Sequence, residues 1–215
     1  MLCCYPDRVH TPAAPDERLY EEFLRWQSLG AKAKATAALR AFLDSFPDFA
    51  AKAKWTNANL EKLHTNRHAR IRHELFEEVI FPVLISRIEA GDPEAMFQLA
   101  RHDQNLFGAT HLWKQMEYVS PRELLQRAHE AAPHEDRYRK ALLQDLVGAF
   151  NYLDHEWPLA ILVDAREPDV WDTLSELISK ARILDMEGAM ADRLAEFEDR
   201  VRQYRARISA KNDNS

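Results

Sequence analysis

Glycine is scarce in this chain of 215 residues: five in all, at Gly30, Gly91, Gly108, Gly148 and Gly188. Average usage of about 7% would give roughly fifteen. No two of the five lie close enough to form a phosphate-cradling turn, so P-loop and dinucleotide-binding chemistry is excluded. Cysteine is confined to the adjacent pair Cys3 and Cys4, which leaves no disulfide framework and points to a reducing compartment. No apolar run approaches the ~20 residues that cross a bilayer; Pro158 to Val163 falls far short of it. The opening residues lack the apolar stretch of a secretion signal. A surplus of cations is also missing: the net charge is −6, which argues against a general nucleic-acid binder. These absences describe a soluble, cytoplasmic protein without a membrane partner.

What is present is helical. Hydrophobic residues make up 46% of the chain and charged residues 30%, enough for a core and a solvated surface. Pro15, Asp92-Pro93, Ser120-Pro121-Arg122-Glu123 and Pro168-Asp169 read as helix starts. Gly30, Pro47 and Pro133 read as stops, and Pro82 predicts a kink within a long helix over about 66–90. Inward stripes are expected at Leu19, Phe23 and Trp26, and at Phe49, Ala53, Leu60 and Leu63. Residues 102–119 are ambiguous, and Leu159 to Val163 fits a helical turn or a short strand. The expected fold is all-α, an irregular multi-helix bundle or short α-solenoid of about eight to ten helices. A single helical domain over 15–208 is expected, between a mobile arm at 1–14 and a disordered tail at 209–215.

Ala90-Gly-Asp-Pro-Glu-Ala-Met-Phe-Gln-Leu99 resembles the first helix of Sel1-like solenoid repeats. The likeness covers ten residues once; a matching second helix and a fixed repeat period are absent.

The last helix, over about 186–210, carries Met190, Leu194, Phe197, Val201, Tyr204 and Ile208 at steps of four and three. That seam packs on the chain's own bundle, or pairs with a partner helix or with a second copy, as a homodimer or a self-associating scaffold. A metal-dependent alternative rests on Glu61, His64, His68, His73 and Glu77. There Glu61-x-x-His64 has the spacing of helical carboxylate sites, and His64 and His68 lie one turn apart. No second Glu-x-x-His completes it, and no His-Glu-x-x-His or Gly-x-Ser-x-Gly occurs, so no catalytic residue and no cofactor is assigned. Lys62, Arg67, Arg70 and Arg72 form a basic stretch without the aromatic interleaving that stacks bases.

The sharpest asymmetry is acidic. Asp154, Glu156, Asp164, Glu167, Asp169, Asp172 and Glu176 face one base, Arg166, so this segment's net −6 equals that of the whole chain. Trp157 and Trp171 lie among them. Acidic charge speeds encounter with a basic protein, and a buried aromatic supplies affinity. The sequence therefore points to a non-catalytic protein-binding role. An immunity- or antitoxin-type inhibitor that masks a basic partner fits best.

Overall fold

The computed structural model describes residues 14–65, 71–156 and 169–212; of residues 64, 65, 169 and 208–212 it describes the backbone alone. The expectations for the terminal arm, Cys3 and Cys4, His68, Trp157, Leu159 to Val163, Asp164, Glu167 and residues 213–215 fall outside it. Every regular element among the described residues is helical, and none is long and apolar enough to cross a membrane. The helices gather into two compact units, Met1–Tyr118 and Val119–Ser215.

The first unit opens with α1 (Glu17–Ser28) and α2 (Lys32–Asp44). Helix α1 begins two residues after Pro15, because the Asp16 carboxylate accepts the Arg18 N–H at 3.2 Å and so caps the first turn. It ends where the sequence predicts. Gly30 takes φ +71°, its N–H donates to Gln27, and the Ala31 N–H reaches back to Trp26 at 3.0 Å.

Helix α3 (Phe49–Thr65) packs its rings onto this hairpin. Phe42 lies 5.1 Å from Tyr20, 5.0 Å from Phe46 and 5.4 Å from Trp55, mostly edge to face. This cluster resets two predicted stripes. Trp26 is half-buried with Lys34 4.2 Å from its ring centroid, and Tyr20, also half-buried, joins the rings of Phe23, Phe42 and Trp55. Phe49 is 49% exposed, while Ala51, Trp55 and Leu60 form the buried face of α3. Burying Trp55 among the rings removes more apolar area from water than burying Phe49 at a helix end.

The helix that carries Pro82 begins at His73, with Ile71 and Arg72 outside it, so the predicted run is not continuous through them. It runs as α4 (His73–Leu75), a π-helical turn (Phe76–Ile80) and α5 (Phe81–Glu89). Pro82 explains the widening. In an α-helix the Glu78 carbonyl would accept an N–H from residue 82, which proline lacks, and the proline ring would crowd that carbonyl. The π turn opens the ladder at this place. Lys52 of α3 then supplies the missing donor, its Nζ reaching the Glu78 carbonyl at 2.8 Å. A carbonyl stripped of a charged donor loses about 2 kcal/mol. Lys52→Met is expected to lower unfolding free energy by about that amount, read from urea denaturation, with Lys54→Met on the exposed face as a neutral control.

Helix α6 (Pro93–Ala100) starts as predicted, with Asp92 accepting the Glu94 N–H at 2.9 Å. The ambiguous residues 102–119 form two short helices, α7 (Asp103–Phe107) and α8 (Thr110–Gln115). After α8 come Glu117 and Tyr118, both with positive φ (54° and 59°).

The second unit contains α9 (Pro121–Ala131), α10 (Asp136–Glu156), α11 (Asp169–Leu184) and α12 (Ala191–Asn212). Ser120 accepts the Glu123 N–H and caps α9. Helices α9, α11 and α12 all pack on α10. Its buried face of Tyr138, Leu142, Leu146 and Phe150 meets Leu124, Leu174, Ile178, Leu194 and Phe197 in one core. Residues 185–190 are a turn rather than the start of the last helix. The Asp185 carboxylate accepts the Met190 N–H at 2.8 Å, and Gly188 takes φ +68°.

Candidate functional site

The structure gives the acidic residues different tasks. Asp154, with 11% of its side chain exposed, lies 3.0 Å from Arg193 and 2.5 Å from Arg200, so α10 and α12 are bound together through it. Burial opposes its ionisation, but the hydrogen bonds from the two guanidinium groups outweigh it and hold the carboxyl below the usual range. Glu156 is half-buried. Trp171 is buried against Tyr204, with ring centroids 6.2 Å apart, so it serves the core of the second unit. Asp169 occupies the first turn of α11. Asp172 and Glu176 are exposed, and neither has a hydrogen-bond or ion-pair partner among the described residues.

Glu176 lines a cleft of about 510 Å³ between α9 and α11, and Asp172 lies one turn before it on α11. His129 lines one side; Ser175, Glu176, Ser179, Lys180, Ile183 and Leu184 line the other. Lys180 lines the cleft one turn from Glu176, and its Nζ donates to Gln126 of α9 at 2.6 Å, which ties the two walls together. The Nδ1 atom of His129 is enclosed without a hydrogen-bond partner. At the far end of the cleft Ile183 is 77% exposed, and Met186 just beyond it is 76% exposed. An exposed aliphatic side chain, Ile183, and an exposed carboxylate, Glu176, therefore lie along one helix on either side of Lys180.

Of the acidic residues singled out in the sequence, Glu176 lines this cleft; His129, Ser179 and Ile183 were not singled out. One signal was available. Ile183 lies off the inward stripe of Leu174, Ile178 and Ala181, so its outward position was readable from helical periodicity.

The heptad seam is used within the second unit. Leu194 and Phe197 are fully buried, and Phe197 stacks on Phe150 at 4.6 Å with 17° between the planes. Met190, Val201 and Tyr204 are half-buried, and the side chain of Ile208 lies outside the described residues. Leu194 and Phe197 thus offer no surface to a second copy.

The residues of the metal alternative part company. Glu61 accepts from Gln98 at 3.1 Å and from Arg101 at 3.0 Å. Glu77 takes His73 at 3.4 Å and His111 of α8 at 2.8 Å. The side chains of His64 and His68 fall outside the described residues. Among those described, no three His, Cys, Asp or Glu side chains form a group able to hold a metal ion. In the basic stretch, Arg72 is paired with Glu74 at 2.7 Å.

Comparison with known protein families, curated proteins and solved structures finds no match to this chain.

Proposed function

We propose that this protein is a non-catalytic binding protein that masks a basic protein partner, in the manner of a bacterial immunity protein or antitoxin. The observation that carries the reading is the outward face of α11. Asp172 and Glu176 are exposed and unpaired there, beside a cleft that ends in exposed Ile183 and Met186. Most carboxylates of the second unit have internal partners, such as Asp145 with Arg122 and Glu198 with Arg182. Asp172 and Glu176, like Glu156 and Asp192, have no such partner among the described residues, and the first two share one exposed face of α11. Unpaired charge of one sign steers an oppositely charged partner, and the aliphatic end supplies area that excludes water on contact.

The test uses the full chain as bait in native lysate, with Asp169→Lys, Asp172→Lys and Glu176→Lys combined as the variant. The wild type is expected to retain a basic protein at about 0.05 M salt and release it towards about 0.5 M. The triple variant is expected to retain at least about tenfold less of it. Equal recovery of the same proteins by both baits at both salt concentrations overturns the reading. Circular dichroism checks that the variant keeps its helices.

A further inference from the structure

The turn between α1 and α2 presents exposed cations around an exposed aliphatic side chain. Leu29, at its apex, is 65% exposed. Arg25 on the α1 side and Lys32 and Lys34 on the α2 side are exposed as well, and residues 25–34 contain no acid. Trp26 gathers two of these cations from two helices: Arg25 Cζ lies 5.3 Å and Lys34 Nζ 4.2 Å from its ring centroid. The turn is fixed in shape, since the N–H groups of Leu29, Gly30 and Ala31 donate to the Arg25, Gln27 and Trp26 carbonyls at 3.2, 3.0 and 3.0 Å. Charge is sorted along this hairpin. Arg25 lies four residues before Leu29, and Lys32 and Lys34 open α2, so all three sit within about 6 Å of the apex along the helix axes. The nearest acids of α1, Glu22 and Glu21, lie seven and eight residues back from Leu29, about 10.5 Å and 12 Å. Glu22 is moreover bonded to the Trp26 indole N–H at 2.9 Å, and the first acid of α2, Asp44, is bound by Arg40 at the other end of that helix. The rings of α3 meet the hairpin at Tyr20, Phe42 and Phe46, deeper than any of the tip cations.

We propose that this tip docks on an anionic lipid surface, with Leu29 entering the headgroup boundary and Arg25, Lys32 and Lys34 among the lipid phosphates. The site lies in the first unit and is independent of the acidic face of α11. The expectation of no membrane partner rested on spanning length, and attachment to a surface needs no spanning helix. The partner's charge follows from depth. At physiological salt an electrostatic interaction fades over about 8 Å, so a plane touching the apex meets the three cations closely and Glu21 and Glu22 only weakly. Each cation near an anionic leaflet strengthens attachment about fivefold. Leu29 chooses lipid over nucleic acid. A contact with phosphates has no use for a bare aliphatic side chain at its centre, whereas the headgroup boundary takes one up. Trp26 is no stacking platform for a base either, because its ring is met by Arg25 and Lys34 and its N–H is given to Glu22. An indole set just behind the apex suits the depth of the headgroups.

Sedimentation of the full chain with sucrose-loaded vesicles is the test, comparing phosphatidylcholine alone with phosphatidylcholine containing about 30% phosphatidylglycerol. At about 0.1 M salt the wild type is expected to bind the anionic vesicles at least about tenfold more tightly than the neutral ones, and to leave them at about 0.5 M salt. Lys32→Glu is expected to cost at least about tenfold of that affinity, and Leu29→Gln about fivefold. Lys54→Glu, the same change of charge at an exposed position of α3, is the control and is expected to cost less than about twofold. All three positions are exposed, so the fold is kept, and circular dichroism verifies it. No binding to anionic vesicles, equal binding to the two kinds, an equal loss in Lys32→Glu and Lys54→Glu, or no response to Leu29→Gln overturns the proposal. A DNA duplex of about 20 base pairs that binds through Lys32 while anionic vesicles do not also overturns it and assigns the tip to nucleic acid.

Discussion

Truncation of Phe197 to alanine lowers the unfolding free energy by about 3–5 kcal/mol, the cost of deleting a fully buried ring. The ring has no exposed surface and lies flat against Phe150, so this stack joins α12 to α10 within the core. The neighbouring contacts cannot close the gap. Leu194 is already buried one turn earlier, and the Arg193 and Arg200 pairs with Asp154 fix the spacing of the two helices. Chemical denaturation gives the magnitude. Hydrogen exchange gives the place, with protection lost first along α12. Val201→Ala, at a half-buried position of the same seam, is the graded comparison and costs about 1 kcal/mol. Equal losses at the two sites would contradict the burial pattern.

Arg139→Ala follows at about 3 kcal/mol. Only 4% of the Arg139 side chain is exposed, and its guanidinium reaches the Leu184 carbonyl at the end of α11, Glu187 at 2.7 Å and Asp136 at 3.1 Å. The last turn of a helix leaves carbonyls without intrahelical donors, and Arg139 satisfies one of them from α10. Its loss removes a charged hydrogen bond to a carbonyl and the packing of the aliphatic stem. Lysine at this position recovers little, because one ammonium cannot span three acceptors lying in different directions. A loss as small for Arg139→Ala as for a solvated surface arginine such as Arg202 would refute this account.

The same contact makes the second unit sensitive to acid. The hydrogen bond from Arg139 draws the Glu187 carboxyl down to about 2, against an ordinary value of 4.5. A depressed folded value contributes stability that is complete above the unfolded value and is lost as pH falls through the folded one. Stability is therefore expected to decline from about pH 4.5 towards pH 2. Glu187→Gln should flatten that part of the profile, measured by urea unfolding at several pH values. An unchanged slope in the variant would show that other carboxylates govern the decline.

Helix starts and stops were legible because they depend on neighbours in sequence. Asp16, Gly30, Asp92 and Ser120 act through bonds that span two to five residues. The all-α class followed from the same local signals. Buried faces were less legible. Trp26 and Phe49 fit an apolar period as well as Tyr20 and Trp55 do, and the choice between them is made by rings on other helices. The acidic run shows the same limit. Charge counting treated Asp154 and Asp172 alike, whereas α12 brings two arginines to the first and nothing among the described residues to the second. The cleft was out of reach for the sequence, since it exists only where α9 and α11 come side by side over α10.

Lys52 and Pro82 also constrain how this chain can change. An amide restored at position 82 would satisfy the Glu78 carbonyl from within its own helix, and the ammonium from α3 would then be surplus. Loss of the lysine is harmful only while the proline remains. The two sites, thirty residues apart in sequence, are therefore expected to be coupled, with Lys52→Met costing less stability once Pro82 is replaced than while it remains.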